Sequence, residues 1–251
     1  MDNVTKAKIN LYAVLRNLQD LCSLDEESKN LIRGVNLKVG FNVNSVGSAV
    51  LEFSNGECKF VRGKGKAGLQ LYFVSAEHFN KLIDGENTIP IFYNVFQVGF
   101  LLKTFTKLAE RLSYYLKPSS EELFNDPEFL KINTILTAYT AFYALCEIGN
   151  SDVVGKITAK RIPDGVINCL ITGVIGMNIT VKNGVMSAAQ GLVDNPHAIM
   201  EFFDIQIAHE VLQGKTDTFS GLGQGRFQIR GFIPMLENMA KLLNQVKWYL
   251  R

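Results

Sequence analysis

The stretch GRFQIRGF, residues 225–232, has a near echo in VFQVGF, residues 95–100. Each stands just ahead of a long amphipathic run. After the later phrase, Met235, Leu236, Met239, Leu242, Leu243, Val246 and Tyr249 fall at the i, i+3, i+4, i+7 spacing of one helical face. After the earlier one, Leu101, Leu102, Phe105, Leu108, Leu112, Tyr115 and Leu116 do the same. Both phrases therefore read as a last strand, a glycine break and a closing helix.

Working backwards from each phrase, the same features recur in the same order. Asn55-Gly56 lies between AVLEFS and ECKFV, and Asn183-Gly184 between MNITVK and VMSAAQ. Asn-Gly between short alternating runs is a strong hairpin signal, because both residues tolerate positive φ. An apolar strand follows, GLQLYFV at 68–74 and HAIMEFF at 197–203. Next comes a short helix ending at Gly85 or Gly214, glycine being favoured just past a helix end. From Gly56 to Gly85 is 29 residues, and from Gly184 to Gly214 is 30. Helices precede each hairpin, over 5–22 and 26–32 in the first half and over 127–149 and 151–160 in the second. The fold class expected is α+β, with two tandem units over 1–117 and 118–251. Each is a mostly antiparallel sheet covered by helices and completed by a long C-terminal amphipathic helix. The join falls in KPSSEELFNDPEF, 117–129, where Ser120 or Asn125 is placed to cap a helix.

Composition narrows the function classes. Hydrophobic residues make up 47% of 251 and charged residues 20%, which suits a packed core rather than disorder. The net charge of +2 argues against a polycationic nucleic-acid binder, and no nucleic-acid partner is expected. Residues 1–117 hold 15 Lys/Arg against 11 Asp/Glu, and residues 118–251 hold 11 against 13. Cys22, Cys58, Cys146 and Cys169 are scattered and read as reduced structural thiols. The N-terminus reads as an amphipathic helix rather than a signal peptide. The longest apolar run, ILTAYTAFYALC at 135–146, is short of the roughly 20 residues of a membrane span. A cytoplasmic protein is expected. That run is apolar nearly all round its helix, which predicts burial on several sides, between the two copies or across a subunit contact.

No constellation points to catalysis. His78, His197 and His209 have no His or Cys at i+4, and neither an HExxH nor a G-x-S-x-G motif is present. No metal, no cofactor and no enzymatic activity are expected. RGKGKAG at 62–68 is not a P-loop. With Lys59, the cations Arg62, Lys64 and Lys66 form a basic edge beside a hairpin. They read either as a contact for an anionic surface or as a solvated strand end that guards a sheet edge.

The second copy resembles the sterol carrier protein family of lipid-binding and nonspecific lipid-transfer domains. The resemblance covers roughly 165–243 and rests on the Gly-ended helix, a G-x-hydrophobic-x-hydrophobic-x-G strand formed by Gly225, Phe227, Ile229 and Gly231, and the amphipathic helix after it. Residues 218–223 depart from the usual lead-in, and in the first copy only Gly99 fits the strand glycines. The resemblance implies a hydrophobic tunnel between sheet and helices, walled in part by the closing helix. Phe202, Phe203, Phe227, Phe232, Met235, Leu236 and Met239 are the residues available for that wall, and methionine suits an adaptable lipid pocket. The same residues also serve an ordinary core. The second copy is thus the expected binding copy. Expected partners are an apolar, lipid-like ligand and, transiently, an anionic membrane surface. A homo-oligomer stays open. The competing reading is a non-catalytic interaction or sensing module with a closed, filled core.

Overall fold

Asn55 and Gly56 have φ of 54° and 80°, and Asn183 and Gly184 have φ of 53° and 72°. These are two-residue turns whose twist matches that of the paired strands they join. Each seeds a meander, and around each meander a five-stranded sheet forms. The computed structural model describes residues 2–93, 97–216 and 225–250. It divides into two units, Met1–Asn125 and Asp126–Arg251.

The first unit begins with α1 (Asn3–Ile9), a π-turn at Asn10–Val14, α2 (Asn17–Leu24) and α3 (Glu26–Leu31). Strands β1 (Leu37–Val43), β2 (Gly47–Ser54), β3 (Glu57–Arg62) and β4 (Leu69–Phe73) follow, then α4 (Ala76–Ile83) and β5 (Ile91–Tyr93). The closing helix is built from α5 (Val98–Phe100), a second π-turn at Leu101–Phe105 and α6 (Thr106–Leu116). The second unit has α7 (Pro127–Ser151), α8 (Val153–Ala159), β6 (Gly165–Ile171), β7 (Ile175–Lys182), β8 (Val185–Gln190), β9 (Ala198–Phe202), α9 (Ile205–Gln213), β10 (Phe227–Gly231) and α10 (Ile233–Tyr249). Side-chain oxygens cap most of these helices, Asp2, Asp25, Ser75, Asp126, Asp152 and Asp204 each accepting from a backbone N–H one turn in.

The strand order is β3-β2-β1-β4-β5 in one sheet and β8-β7-β6-β9-β10 in the other, which is one topology twice. Within each sheet one pairing is parallel, β1 with β4 and β6 with β9, and the others are antiparallel. Matching backbone bonds confirm the equivalence. Asn44 N–H donates to the Phe73 carbonyl and Thr172 N–H to that of Phe202. Strands β1 and β6 escaped the sequence reading, and they are the centre of each sheet.

Three expectations change. ILTAYTAFYALC lies within the 25-residue α7, long and apolar enough by length and composition to cross a membrane. It is mostly buried, and it packs inside its own unit on β8, α8, α9 and α10. Asn125 does not cap this helix; Asp126 does, while Ser120 accepts from Glu122 N–H one turn earlier. Finally, VFQVGF does not repeat FQIRGF. Val95 and Phe96 lie outside the described residues, the edge strand is Ile91–Tyr93, and Gly99 sits inside the helical segment Val98–Phe100.

The two glycines now differ in physics. Gly231 has φ of 87°, and a Cβ there would collide with the His197 carbonyl oxygen. Gly99 has open space around its missing Cβ and no positive φ. We predict that Gly231→Ala lowers the stability of the chain by about 2 kcal/mol or more. Gly99→Ala is expected to be neutral or stabilising by up to about 1 kcal/mol. Urea unfolding of both variants checks the pair, and equal losses would contradict this reading.

Candidate functional site

The closing helix of the first unit is held at both ends. Near its start, phenylalanine rings prop it on the sheet. Phe100 meets Phe53 at 5.2 Å between centroids and Phe105 meets Phe41 at 5.8 Å. Near its end, Asp25 receives it. The Asp25 carboxylate caps α3 through the Ser28 amide at 2.9 Å and also accepts from the Ser28 hydroxyl. From the closing helix it accepts the Arg111 guanidinium and, at 3.0 Å, the Tyr115 hydroxyl. Burial pushes the Asp25 carboxyl up, but these hydrogen bonds together outweigh it and hold the group below the usual carboxylate range. Burial, then the carboxylate beside it, pushes the Tyr115 phenol up.

The second unit repeats the tether in simpler form. Asp152 caps α8 through the Gly155 amide at 2.7 Å and accepts from the Tyr249 hydroxyl at 2.7 Å. Aligning the closing helices on Tyr115 and Tyr249 shows what changed between them. Leu101 corresponds to Met235, Leu102 to Leu236, Phe105 to Met239, Leu108 to Leu242 and Leu112 to Val246. Ala109 stands where the other helix has Leu243.

Between the two supports of the first closing helix lies a cavity of about 350 Å³. Its floor is Phe41 and Leu71, neighbours in the parallel strand pair. Val14, Leu15 and Leu18 form one side, and Leu82, Ile83, Pro90 and Phe92 form the other. The closing helix supplies Leu101, Leu102, Phe105, Leu112 and Leu116 as apolar wall and Thr106, Ala109 and Ser113 as a row of small residues, with Lys117 beyond. Leu102 is 73% exposed, so the cavity opens to solvent along this helix. The volume lies in the range of small-molecule pockets, and the lining is of the apolar kind they favour.

None of the seven residues expected to line a tunnel lines this cavity. Phe202, Phe227, Met235, Leu236 and Met239 come together in the interior of the second unit, the two rings 5.5 Å apart on paired strands. Phe203 and Phe232 are exposed. The glycine-bearing lead-in at 218–223 lies outside the described residues. On the basic edge Lys59, Arg62, Lys64 and Lys66 are exposed, and the Arg62 guanidinium lies 3.7 Å from the centroid of the Tyr12 ring. All four cysteines are free and buried, and the Cys58 thiol is pushed up by its hydrogen bond with Cys22 and by burial. The sequence reading identified the apolar face of the first closing helix but missed that its small residues open a space. The signal was there in Ala109, aligned with a leucine in the other copy.

No protein-family model and no curated protein matches the chain. Among solved structures it is similar to the ubiquinone synthesis protein UbiJ-SCP2, at 13% identity over 45% of this chain and 96% of that one, with a TM-score of 0.35. It is also similar to sterol carrier protein domain 2 of Helicoverpa armigera, at 16% identity over 44% of this chain and 87% of that one, TM-score 0.36. A third likeness is to sterol carrier protein 2 like 2 from Aedes aegypti, at 15% identity over 44% and 96%, TM-score 0.31.

The tethers give a pH prediction whose sign is fixed. Because the folded Asp25 has its carboxyl depressed, its contribution is complete above the unfolded value of about 3.9 and is lost as pH falls through the folded value. Asp25→Asn at neutral pH is expected to cost roughly 2 kcal/mol or more, and Tyr249→Phe about 1 kcal/mol. The protection factors of amides 106–116, taken against the intrinsic exchange rate at the same pH, should fall in Asp25→Asn and in the parent chain below about pH 4. Unchanged protection in both would show that Asp25 does not hold the helix.

Proposed function

We propose that the first unit is a binding domain of the sterol-carrier type, and that it holds the apolar chain of a lipid-like ligand beneath its closing helix. The observation that carries this reading is the cavity itself, apolar from Val14 to Phe105 and open along one helix face. Sequestration is the proposed activity, and no covalent step is needed. Each buried CH₂ contributes about 0.8 kcal/mol, so affinity comes chiefly from the chain. The row Thr106, Ser113, Lys117 lies on the open side and suits a polar headgroup, the ammonium favouring an anionic one.

A second reading applies to the other unit. Met235, Met239, Leu242 and Val246 are buried in it, and we propose that it is a closed scaffold rather than a second ligand site. On this reading one copy carries and the other braces or recognises.

Affinity for delipidated protein, measured by calorimetry with saturated fatty acids of increasing length, is expected to rise about fourfold per methylene and then level off when the cavity is full. Ala109→Phe places a ring in the opening at an exposed position and should abolish uptake without loss of fold. Met239→Leu in the second unit should leave uptake unchanged. Uptake that survives Ala109→Phe, or that shows no dependence on chain length, would overturn the proposal.

A further inference from the structure

The short helix α8 is inverted relative to an ordinary surface helix. Gly155, Thr158 and Ala159 face the interior, while Val153, Val154 and Ile157 face solvent, Val153 at 76% exposure. Lys156, Lys160 and Arg161 are interleaved with them, all exposed. The apolar surface continues past both ends of the helix. At its start, the Tyr249–Asp152 hydrogen bond brings the end of α10 alongside, and with it Trp248, 62% exposed. At its end, Lys160 packs against the Asn183-Gly184 turn, and exposed Val185 follows that turn.

We propose that this strip on the second unit docks on an anionic lipid bilayer. Its charge is the discriminating observation. From Val153 to Pro163 there are three cations and no acid. The two flanking carboxylates are engaged at home, Asp152 as described and Asp164 with the Asn183 amide at 2.7 Å. Aliphatic side chains, a tryptophan and lysines side by side are the composition of a membrane-surface element. The apolar groups enter the acyl boundary, the indole sits at the headgroup level and the ammonium groups meet lipid phosphates. A protein–protein interface would disfavour lysine within its apolar centre. This inference does not rest on the cavity of the first unit.

Trp248 is the only tryptophan in the chain, so it reports directly. Phosphatidylcholine vesicles containing phosphatidylserine should shift its emission to the blue, and nitroxide-labelled lipid should quench it. Phosphatidylcholine alone, or high salt, should weaken both effects. Val154→Asp combined with Ile157→Asp should lower vesicle affinity at least about tenfold. Both sites are exposed, and unchanged circular dichroism and melting temperature would show that the fold is intact. Lys156→Glu with Lys160→Glu should remove the preference for phosphatidylserine. Unshifted emission with these vesicles, or a shift that survives both double variants, overturns the proposal. So does a parent chain that ignores vesicles but is a dimer made monomeric by Val154→Asp and Ile157→Asp, since the strip would then join two copies.

Discussion

In each unit an aspartate at the start of a short helix turns its carboxylate on a tyrosine near the end of the closing helix. The partners are 90 residues apart in one unit and 97 in the other. The carboxylate thus satisfies two needs with one group. It fills the orphan N–H groups of the helix it caps, and it fixes a long helix that arrives last in the chain. A charge-assisted bond of this kind is stronger than a neutral one and is sensitive to losing either partner. In the first unit Arg111 joins the Tyr115 hydroxyl as a cationic donor from the closing helix, and Glu27 lies 3.2 Å from the guanidinium. The unit with the less completely packed helix is the one with the stronger tether.

That correlation follows from packing. A closing helix can be held by the surface it buries or by its ends. In the second unit α10 lays Met235, Met239, Leu242, Val246 and Tyr249 into the interior against α7, α8 and the β9–β10 edge. Flexible methionines fill irregular gaps there beside the Phe202 and Phe227 rings. In the first unit Phe100 and Phe105 stand as rigid spacers on Phe53 and Phe41, and burial along α6 is confined to Leu108, Leu112 and Tyr115. Rings of fixed shape leave a space beside them when the next residues along the face are small. Ala109 leaves that space, and Leu71 and Leu18 line it from below.

Much of this frame was legible in the sequence because its signals are local. The Asn-Gly turns need positive φ, the closing helices carry their period, and the glycine after a helix marks its end. The central strands β1 and β6 were not legible. The parallel partner of each lies beyond a hairpin, a pairing that no local pattern announces. The phrase that suggested the repeat misled in its detail, since Gly231 serves a tight approach to His197 and Gly99 a helix. The cavity beneath the first closing helix was not legible for a related reason. Apolar content alone does not separate a filled core from an open one. One difference between the copies lies at aligned positions, Ala109 and Leu243, and becomes visible only once Tyr115 and Tyr249 are recognised as the same tether. In the sequence those tyrosines are simply members of an apolar stripe, because a hydroxyl's distant partner leaves no mark on its own neighbourhood.

The central claim is that two copies of one topology have parted into an open and a filled form. Methyl NMR of the whole chain with a nitroxide-labelled fatty acid tests it most directly, since broadening reports distance from the bound chain. The account predicts broadening of the methyl groups of Leu18, Leu71, Leu101 and Leu116, with those of Met239, Leu242 and Val246 unaffected. Broadening centred on the second unit, or none at saturating ligand, would contradict it.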